Sequence, residues 1–394
     1  MKPNLRAHIP LALLVMAAVF FVPLSAIADD AAPSSSKGVA ASLQPFVDKH
    51  ALAGAVTLVA DKDKVLSLEA VGYADVAAKK PMSPDALFWI ASQSKSITAT
   101  AFMMLVDEGK VKLDDPVEKY LPEFKGQLVT AYRDNQVVLL KRPKHPITVR
   151  EILSHTSGLP FASTMEQPTL DLLPLRIGVK SYAMTPMLFE PGSQSQYSNA
   201  GINTAGRIIE VVSGMSYEEF LNKRLFRPLG MKDTTFWPSE EQLKRLAKSY
   251  KANNDELEEV KIGQLKYPLS DRTRQPMPAG GLFSTAADVG RFCQMVLNGG
   301  AFHGSHLLSE EAVKTMTSKQ TGKAVKVGYG LGWSTNNGVF GHGGAHATNM
   351  SIDSNRGLIM VFMVQQAGRF PKDGNKGLGA FQQAARERFG SSRK

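Results

Sequence analysis

Apolar and polar positions near the start of the chain follow the pattern of a sheet and a covering helix. Two apolar runs, at residues 55–60 and 64–71, are separated by three charged residues, which predicts a β-hairpin. The apolar segment 88–92 then leads into a helix, because four apolar residues recur at helical spacing and Gly109 marks the expected end. The four residues are Ile97, Ala101, Met104 and Leu105.

The middle of the chain, from about residue 110 to 280, alternates short helical segments with loops rich in proline and glycine. Residues 128–140 are an exception, because their apolar flanks and central Asp134-Asn135 predict a small hairpin.

After residue 281 the strand signal returns. Ser284 is the expected N-cap of a helix that ends at Gly299-Gly300. Several strand-like segments and a closing helix follow. The strands are expected at 329–333, 339–342, 349–352 and 358–364, and the helix at 378–389.

Both ends of the chain thus combine strands with helices, whereas the middle is mainly helical. We expect an α+β fold with an antiparallel sheet, flanked by N- and C-terminal helices and built from about 42–106 and 281–394. The mainly helical part, at about 107–280, is expected as an inserted domain. Residues 29–394 together are expected to form the functional unit.

The first 28 residues are predicted to be a secretory signal peptide outside the fold. Two basic residues precede an apolar run at 9–22, and small residues follow at 25–28. A membrane anchor is the alternative, but these fourteen apolar residues at about 1.5 Å each are too short for a hydrocarbon core of about 30 Å. We therefore expect no stable membrane anchor after cleavage, a flexible leader at 29–41, and a periplasmic or secreted location.

Composition narrows the class of protein. Hydrophobic residues make up 43% of the 394 residues and charged residues 21%, as in a globular protein. Lys and Arg number 46 against 36 Asp and Glu, giving +10, but no aromatic residues interleave the basic stretches, so we expect no nucleic-acid partner. The single Cys293 excludes a disulfide framework and a cysteine zinc site.

The candidate chemistry begins at Ser92-Gln93-Ser94-Lys95, an S-x-x-K pattern. A lysine one helical turn after a serine lies on the same face, where burial lowers its pKa and lets it draw a proton. The pattern recurs at 34–37 and 391–394, where nothing would hold it in place. Ser92 instead lies where a strand-like segment meets a helix, so the helix dipole and free N–H groups favour an oxyanion. An ordinary Ser/Thr-rich helix start is the alternative. The G-x-S-x-G signature is absent, which argues against an α/β-hydrolase.

Two further motifs suit the same chemistry. Tyr197 follows a Pro-Gly turn, and a tyrosine near a lysine can act as a phenolate base. Asn199, two residues later, can bind a substrate carbonyl and the lysine. The segment 341–345 follows a strand, and its glycines let a ligand approach closely. The N–H groups of Ala345 and Ser92 are expected to form an oxyanion hole.

Five blocks in this order resemble the serine β-lactamase and penicillin-binding-protein superfamily, on its class C side. The blocks are 89–95, 153–159, 191–201, 279–282 and 341–345. The resemblance implies a β-lactamase/transpeptidase-like fold and an acyl-enzyme mechanism without a metal or other cofactor. It also implies roles, in which either Lys95 or Tyr197 takes the first proton. Ser92 would be acylated, Lys95 would assist its deprotonation, Tyr197 would be the general base and leaving-group acid, Asn199 would orient the substrate, and His342, Gly343, Gly344 and Ala345 would bind it.

One departure from the family bears on the substrate. β-Lactamases of this class usually have Lys-Thr-Gly where this chain has His342-Gly343-Gly344. A histidine is mostly neutral at pH 7, so losing the lysine weakens recognition of a carboxylate by roughly 1–3 kcal/mol. We therefore expect a carboxylesterase acting on small acyl esters. The alternatives are a D-alanyl-D-alanine carboxypeptidase or D-aminopeptidase on peptidoglycan-type peptides, then a true β-lactamase, and, from another class, a catalytically silent binding scaffold.

The other histidines have ordinary interpretations. His155 is expected to fix a loop. His342 and His346 have the spacing of helical zinc ligands, but the intervening Gly343-Gly344 argues against a helix and hence against a metal site.

Overall fold

A seven-stranded antiparallel sheet forms the centre of the computed structural model, which describes residues 38–390. In spatial order its strands are Ser334–Asn336 (β12), Val339–Gly343 (β13), Asn349–Asp353 (β14), Leu358–Met363 (β15), Gly54–Ala60 (β1), Val65–Asp75 (β2) and Lys80–Pro81 (β3). The central pair β1 and β15 comes from opposite ends of the described chain, with Val56 opposite Met363. The sheet therefore unites the two ends of the chain, as the sequence predicts.

The central strand β1 is buried on both faces, which explains why Thr57 is its one polar residue. Val56 and Leu58 belong to the large apolar core, whereas Ala55 and Val59 belong to a second cluster on the opposite face. The second cluster includes residues of the first and last helical segments of the described chain. The predicted packing of terminal helices against the sheet is thus present.

Helices occur at both ends and in the middle of the described chain. They are Gln44–Asp48 (α1), Ser94–Asp107 (α2), Val149–Leu153 (α3), Leu175–Ala183 (α4), Asn199–Ser213 (α5), Tyr217–Leu221 (α6), Arg227–Leu229 (α7), Glu240–Leu243 (α8), Ala286–Leu297 (α9), Glu310–Thr317 (α10) and Gly377–Phe389 (α11). Short 3₁₀ turns occupy Val39–Leu43, Ala91–Gln93, Val117–Lys119, Pro122–Phe124 and Gly374–Lys376, and a π turn lies at Asn222–Phe226.

Short strands outside the main sheet form four small sheets among the described residues. They are Phe88–Trp89 (β4) with Phe283–Ser284 (β9), Val129–Arg133 (β5) with Val138–Lys141 (β6), Ala301–Phe302 (β10) with Ser305–His306 (β11), and the group of Ser249–Asn253 (β7), Glu256–Val260 (β8) and Gln366–Ala367 (β16). The β5–β6 hairpin confirms the prediction for 128–140. The pair β7 and β8 was not predicted, because its exposed, charged strand β8 lacks an apolar alternation.

Three local predictions need correction. The helix after residue 281 is capped by Thr285, whose side chain accepts the N–H of Asp288, and not by Ser284. Residues 329–333 are not a strand; the strand is β12, which begins only after the buried Trp333. Within the expected leader, Val39 is buried in a 3₁₀ turn, while residues 29–37 lie outside the described part.

The predicted signal peptide also lies outside the described residues. No helix among residues 38–390 combines the length and apolar character needed to cross a bilayer.

A buried ion pair fastens two loops of the helical part together. Asp171 and Arg274 are 0% and 1% exposed, and Arg274 Nε donates to Asp171 Oδ2 at 2.7 Å. The carboxylate also accepts the N–H of Lys266, and the guanidinium donates to the carbonyl of Phe236 at 2.9 Å. The pair therefore joins the loop before α4 to the loop that leads to residues 279–282.

We expect Asp171→Ala to lower the free energy of unfolding by about 3–5 kcal/mol, because it leaves the guanidinium buried and unpaired. Urea denaturation of the variant and the wild type measures the difference. Glu258→Ala, which breaks the exposed pair with Lys251, is the control and should cost less than about 1 kcal/mol. Equal losses in the two variants would contradict the structural importance of the buried pair.

Candidate active site

Ser92 lies in a tight turn between strand β4 and helix α2. Ala91 has φ of +45°, a left-handed conformation that is costly for a residue with a side chain. The turn is fastened to the segment 280–282, because the Trp89 indole donates to the carbonyl of Gly280 at 2.7 Å and the Ile90 N–H donates to that of Leu282 at 3.0 Å. The regular helix begins at Ser94, so Ser92 stands just before its N-terminus.

Lys95 is fully buried beside this serine. Its Nζ is 3.0 Å from Ser92 Oγ and donates to the carbonyl of Ala279 at 2.6 Å. No carboxylate lies within 4.0 Å of Nζ in the described part of the chain. Desolvation therefore holds the pKa of Lys95 well below its usual value of 10.5. The lowered pKa favours the neutral form of the amine, and in that form an amine facing a serine hydroxyl can accept its proton.

A chain of buried hydrogen bonds fixes the carbonyl that holds Lys95. The N–H of Ala279 donates to Asn203 Oδ1 at 3.0 Å, and Asn203 Nδ2 donates to the Tyr182 hydroxyl at 3.0 Å. Tyr182 in turn donates to the buried carboxyl of Glu166. The N–H and the carbonyl of Ala279 belong to two neighbouring peptide groups. This series of hydrogen bonds therefore positions Lys95 and does not relay charge to it. Asn203, Tyr182 and Glu166 are not predicted from the sequence. The spacing of Asn203 four residues after Asn199, on one face of α5, was the single available signal.

Tyr197 lies just before helix α5, which is capped by Ser198. The ring packs between His155 and Phe161, with centroid distances of 4.5 and 6.4 Å, and Lys95 Nζ is 4.7 Å from its centroid. Desolvation raises the pKa of Tyr197 to about 12, although a hydrogen bond with Ser92 lowers it in part. The phenolate form predicted from a neighbouring ammonium is therefore disfavoured, and the hydroxyl is a proton donor near neutral pH.

Asn199 opens helix α5 and is 4% exposed. Its backbone N–H donates to the carbonyl of Phe161 at 2.9 Å, whereas its Oδ1 is buried without a hydrogen-bond partner among the described residues. An unpaired buried acceptor is costly unless a substrate, water or neighbouring donor completes it.

The strand β13 carries His342 and Gly343 and runs past the Ser92 turn. Gly344 follows it and approaches so closely that a Cβ would lie 2.5 Å from the carbonyl oxygen of Ile90. The N–H of Gly344 donates to Thr348 at 2.7 Å, but that of Ala345 has no acceptor in the part of the chain described. The free N–H of Ala345 can therefore serve as one donor of the predicted oxyanion hole.

Gly344→Ala is expected to lower the free energy of unfolding by about 1–3 kcal/mol, because the methyl group would force the strand away from the Ser92 turn. Gly343→Ala is the matched control, since its Cβ would meet its nearest atom at 3.6 Å. Thermal unfolding of the two variants measures the difference. If both glycines tolerate alanine equally, the close approach at Gly344 is not a packing requirement.

Hydrogen bonds join the rings of His155 and Tyr329 to His342 of strand β13, and each bond has a defined direction. His155 Nδ1 accepts the N–H of Ser198 at 3.2 Å, so its Nε2 must carry the proton given to the Tyr329 hydroxyl, 3.2 Å away. Tyr329 then donates to His342 Nε2 at 3.0 Å, and His342 Nδ1 donates to the carbonyl of Gly343 at 2.7 Å. Both nitrogens of His342 are thereby engaged.

His155 and His342, the two histidines joined by these hydrogen bonds, are neutral. Burial lowers the pKa of His342 to about 4, and burial likewise holds the pKa of His155 well below 6.5. From the sequence, His155 is expected only to fix a loop, and Tyr329 is not predicted. The His155 ring contacts the ring of Tyr197, in addition to its hydrogen bonds with Ser198 and Tyr329.

No group of three or more His, Cys, Asp or Glu side chains among residues 38–390 is arranged to hold a metal ion. His346 is bonded to Gln365 and Ser249 through Nδ1, at 3.2 and 3.1 Å.

Comparisons with known proteins agree with this geometry. The family model Beta-lactamase matches residues 39–384. Esterase EstB of Burkholderia gladioli is 31% identical to this chain, covering 62% of it and 66% of EstB. The D-alanyl-D-alanine-carboxypeptidase/endopeptidase AmpH of Escherichia coli is 30% identical, covering 63% of this chain and 60% of AmpH. The structure of EstCE1, a hydrolase with promiscuous acyltransferase activity, superposes with a TM-score of 0.74 at 25% identity, covering 88% of this chain and 97% of EstCE1.

These similarities confirm the predicted α+β, β-lactamase/transpeptidase-like fold. They extend over the blocks that contain Ser92, Tyr197 and residues 341–345. The chain therefore belongs to the beta-lactamase family and is a serine hydrolase related to esterases and DD-peptidases.

Proposed function

We propose that this protein hydrolyses small acyl esters through an acyl-enzyme formed on Ser92. The observation that carries the proposal is the buried Lys95 amine, 3.0 Å from Ser92 Oγ and without a carboxylate partner in the described part of the chain. The neutral amine takes the hydroxyl proton while Ser92 Oγ attacks the ester carbonyl carbon. The oxyanion that forms accepts hydrogen bonds from the N–H groups of Ser92 and Ala345.

Tyr197 is assigned the second proton transfer. Its raised pKa keeps the hydroxyl protonated, so it can protonate the departing alkoxide when the tetrahedral intermediate collapses. The proton on Lys95 then restores Tyr197, and water attacks the acyl-enzyme by the reverse sequence to release the acid. Asn199, with its unpaired buried Oδ1, is assigned the orientation of the substrate.

The choice of esters rests on the state of His342. A neutral imidazole whose two nitrogens are bonded to Tyr329 and Gly343 offers no cation to a substrate carboxylate. An uncharged ester needs none. The similarity to EstB and EstCE1 supports this choice, whereas the similarity to AmpH supports a D-alanyl-D-alanine carboxypeptidase as the second candidate. We also propose export to the periplasm or exterior, from the signal-like pattern of residues 1–28.

A direct substrate comparison tests this proposal. The purified protein is assayed with p-nitrophenyl butyrate, a D-alanyl-D-alanine peptide and a penicillin, and it is labelled in parallel with a fluorophosphonate. We expect ester turnover to exceed that of the other substrates and the label to be found by mass spectrometry on Ser92. Preferential release of D-alanine would favour the peptidase, faster penicillin hydrolysis a β-lactamase, and neither turnover nor label a silent scaffold.

His342→Lys tests the explanation based on the missing cation. A lysine at this position would restore a positive charge, so we expect kcat/KM for carboxylated substrates to rise about 5- to 100-fold relative to uncharged esters. The ratio of kcat/KM for mono-p-nitrophenyl succinate to kcat/KM for p-nitrophenyl butyrate measures the effect. No change in this ratio in a folded variant would show that the neutral histidine does not set the preference.

A further inference from the structure

The hairpin of β5 and β6 concentrates exposed apolar surface. Six of the sixteen large apolar side chains that are exposed among residues 38–390 fall between residues 128 and 140. They are Leu128, Tyr132, Val137, Val138, Leu139 and Leu140. The hydrolase chemistry uses none of them, and an exposed apolar cluster of this kind marks an interaction surface.

Both faces of this hairpin carry apolar side chains. Tyr132 pairs with Leu139, whereas Thr130 pairs with Leu140, and successive residues of a strand point to opposite faces. All four residues of β6 are exposed. A protein groove would cover one face of such a hairpin, whereas the interfacial layer of a membrane can surround both.

Cations lie next to the apolar residues. Arg133, Arg142 and Lys144 are exposed, and none of their three charged groups lies within 4.0 Å of a carboxylate in the described part of the chain. The backbone N–H of Lys144 donates to Glu190 Oε2 at 3.0 Å. Lys141 is paired with Glu190 at 2.7 Å. A cavity of about 510 Å³ opens at the base of the hairpin, where Lys125, Arg142 and Lys144 line it together with Phe124, Leu128 and Met187. Apolar side chains beside unpaired cations are the combination that binds anionic lipid surfaces.

The turn of the hairpin limits how deeply it can enter a membrane. The carboxylate of Asp134 accepts the N–H groups of Gln136 and Val137 at 2.8 and 2.7 Å and the Tyr132 hydroxyl at 2.9 Å. A two-stranded hairpin also keeps unpaired backbone groups along its outer edges, which need water or headgroups. The hairpin is therefore suited to lie along the headgroup layer and not to cross the bilayer.

We propose that the β5–β6 hairpin, with Arg133, Arg142 and Lys144, docks this protein reversibly on an anionic phospholipid surface. Leu139 and Leu140 supply the apolar contact, and the three cations supply the preference for negative headgroups. The inference goes beyond the proposed esterase and does not depend on its substrate.

Co-sedimentation with vesicles tests the proposal. The full chain, the double variant Leu139→Ser with Leu140→Ser, and the double variant Arg142→Gln with Lys144→Gln are compared on phosphatidylglycerol and phosphatidylcholine vesicles. Any contribution of residues 1–28 is the same in all three. We expect each double variant to bind phosphatidylglycerol at least about tenfold more weakly, and we expect added salt to weaken the wild type. Val211→Ser, which removes an exposed apolar side chain of α5, is the matched control and should bind like the wild type.

The outcomes separate the proposal from its rivals. Thermal unfolding confirms that each variant is folded, independently of any enzymatic activity. Equal vesicle binding by the wild type and the leucine double variant would overturn the proposal, as would equal binding of the wild type to the two lipids. A concentration-dependent dimer that the leucine double variant abolishes, measured by light scattering, would also overturn it by making a second copy the occupant of the hairpin.

Discussion

Replacing Ser92 by alanine is expected to lower kcat for p-nitrophenyl butyrate by at least about 10³-fold, with little change in KM. The substitution removes the atom that would form the acyl bond but leaves Lys95, Tyr197 and the candidate oxyanion donor of Ala345 in place. Steady-state kinetics measure the loss. The fluorophosphonate adduct should disappear in the same variant.

A neighbouring serine provides the control for this prediction. Ser94, the first residue of α2, is buried, and its Oγ accepts the N–H of Leu282 at 3.3 Å, but it makes no hydrogen bond with Lys95 Nζ. Ser94→Ala is therefore expected to lose less than about tenfold in kcat, which corresponds to one modest hydrogen bond. If Ser92→Ala keeps more than a tenth of the wild-type rate, the reacting serine lies elsewhere.

Much of the fold could be predicted because its strands and helices carry strong periodic signals. The hairpin of β1 and β2, the helix α2 and the closing helix α11 all occur where the pattern indicates, although α2 is buried on all sides from Ser94 to Leu105 and not on one face only. The errors arose where tertiary contacts decide the structure. Strand β8 is largely polar, and residues 329–333 owe their apolar character to the core around Trp333 and not to a strand.

The residues of the candidate site likewise fall into those that the sequence indicates and those that only the folded structure brings together. Ser92, Lys95, Tyr197, Asn199 and Ala345 could be identified because each belongs to a short motif with a chemical reason for its spacing. The supporting residues could not, because Glu166, Tyr182 and Tyr329 come from loops and helices that meet the site only after folding. Their distances from the motifs in sequence carry no periodic signal.

The burial of Lys95 has a further consequence for stability. Because desolvation lowers its pKa in the folded state, the unfolded chain binds the proton more tightly. The free energy of unfolding should therefore rise with pH until the ordinary lysine pKa near 10.5 is reached. Burying this amine thus costs stability below the ordinary lysine pKa, which is typical of a side chain placed for chemistry.

Lys95→Met is expected to lower kcat/KM for p-nitrophenyl butyrate by at least about 10³-fold, because methionine keeps the buried bulk and removes the base. The wild-type rate should fall as the pH drops through the lowered pKa of Lys95, and this limb should be absent from the residual rate of the variant. His342 has a pKa of about 4 and Tyr197 a pKa of about 12, so neither of them accounts for a change of rate between these two pH values. The pH dependence of stability attributed to Lys95 should disappear with it in urea denaturation. A variant that loses activity but keeps both pH dependences would show that another group is the base, with Lys95 only holding the turn through Ala279.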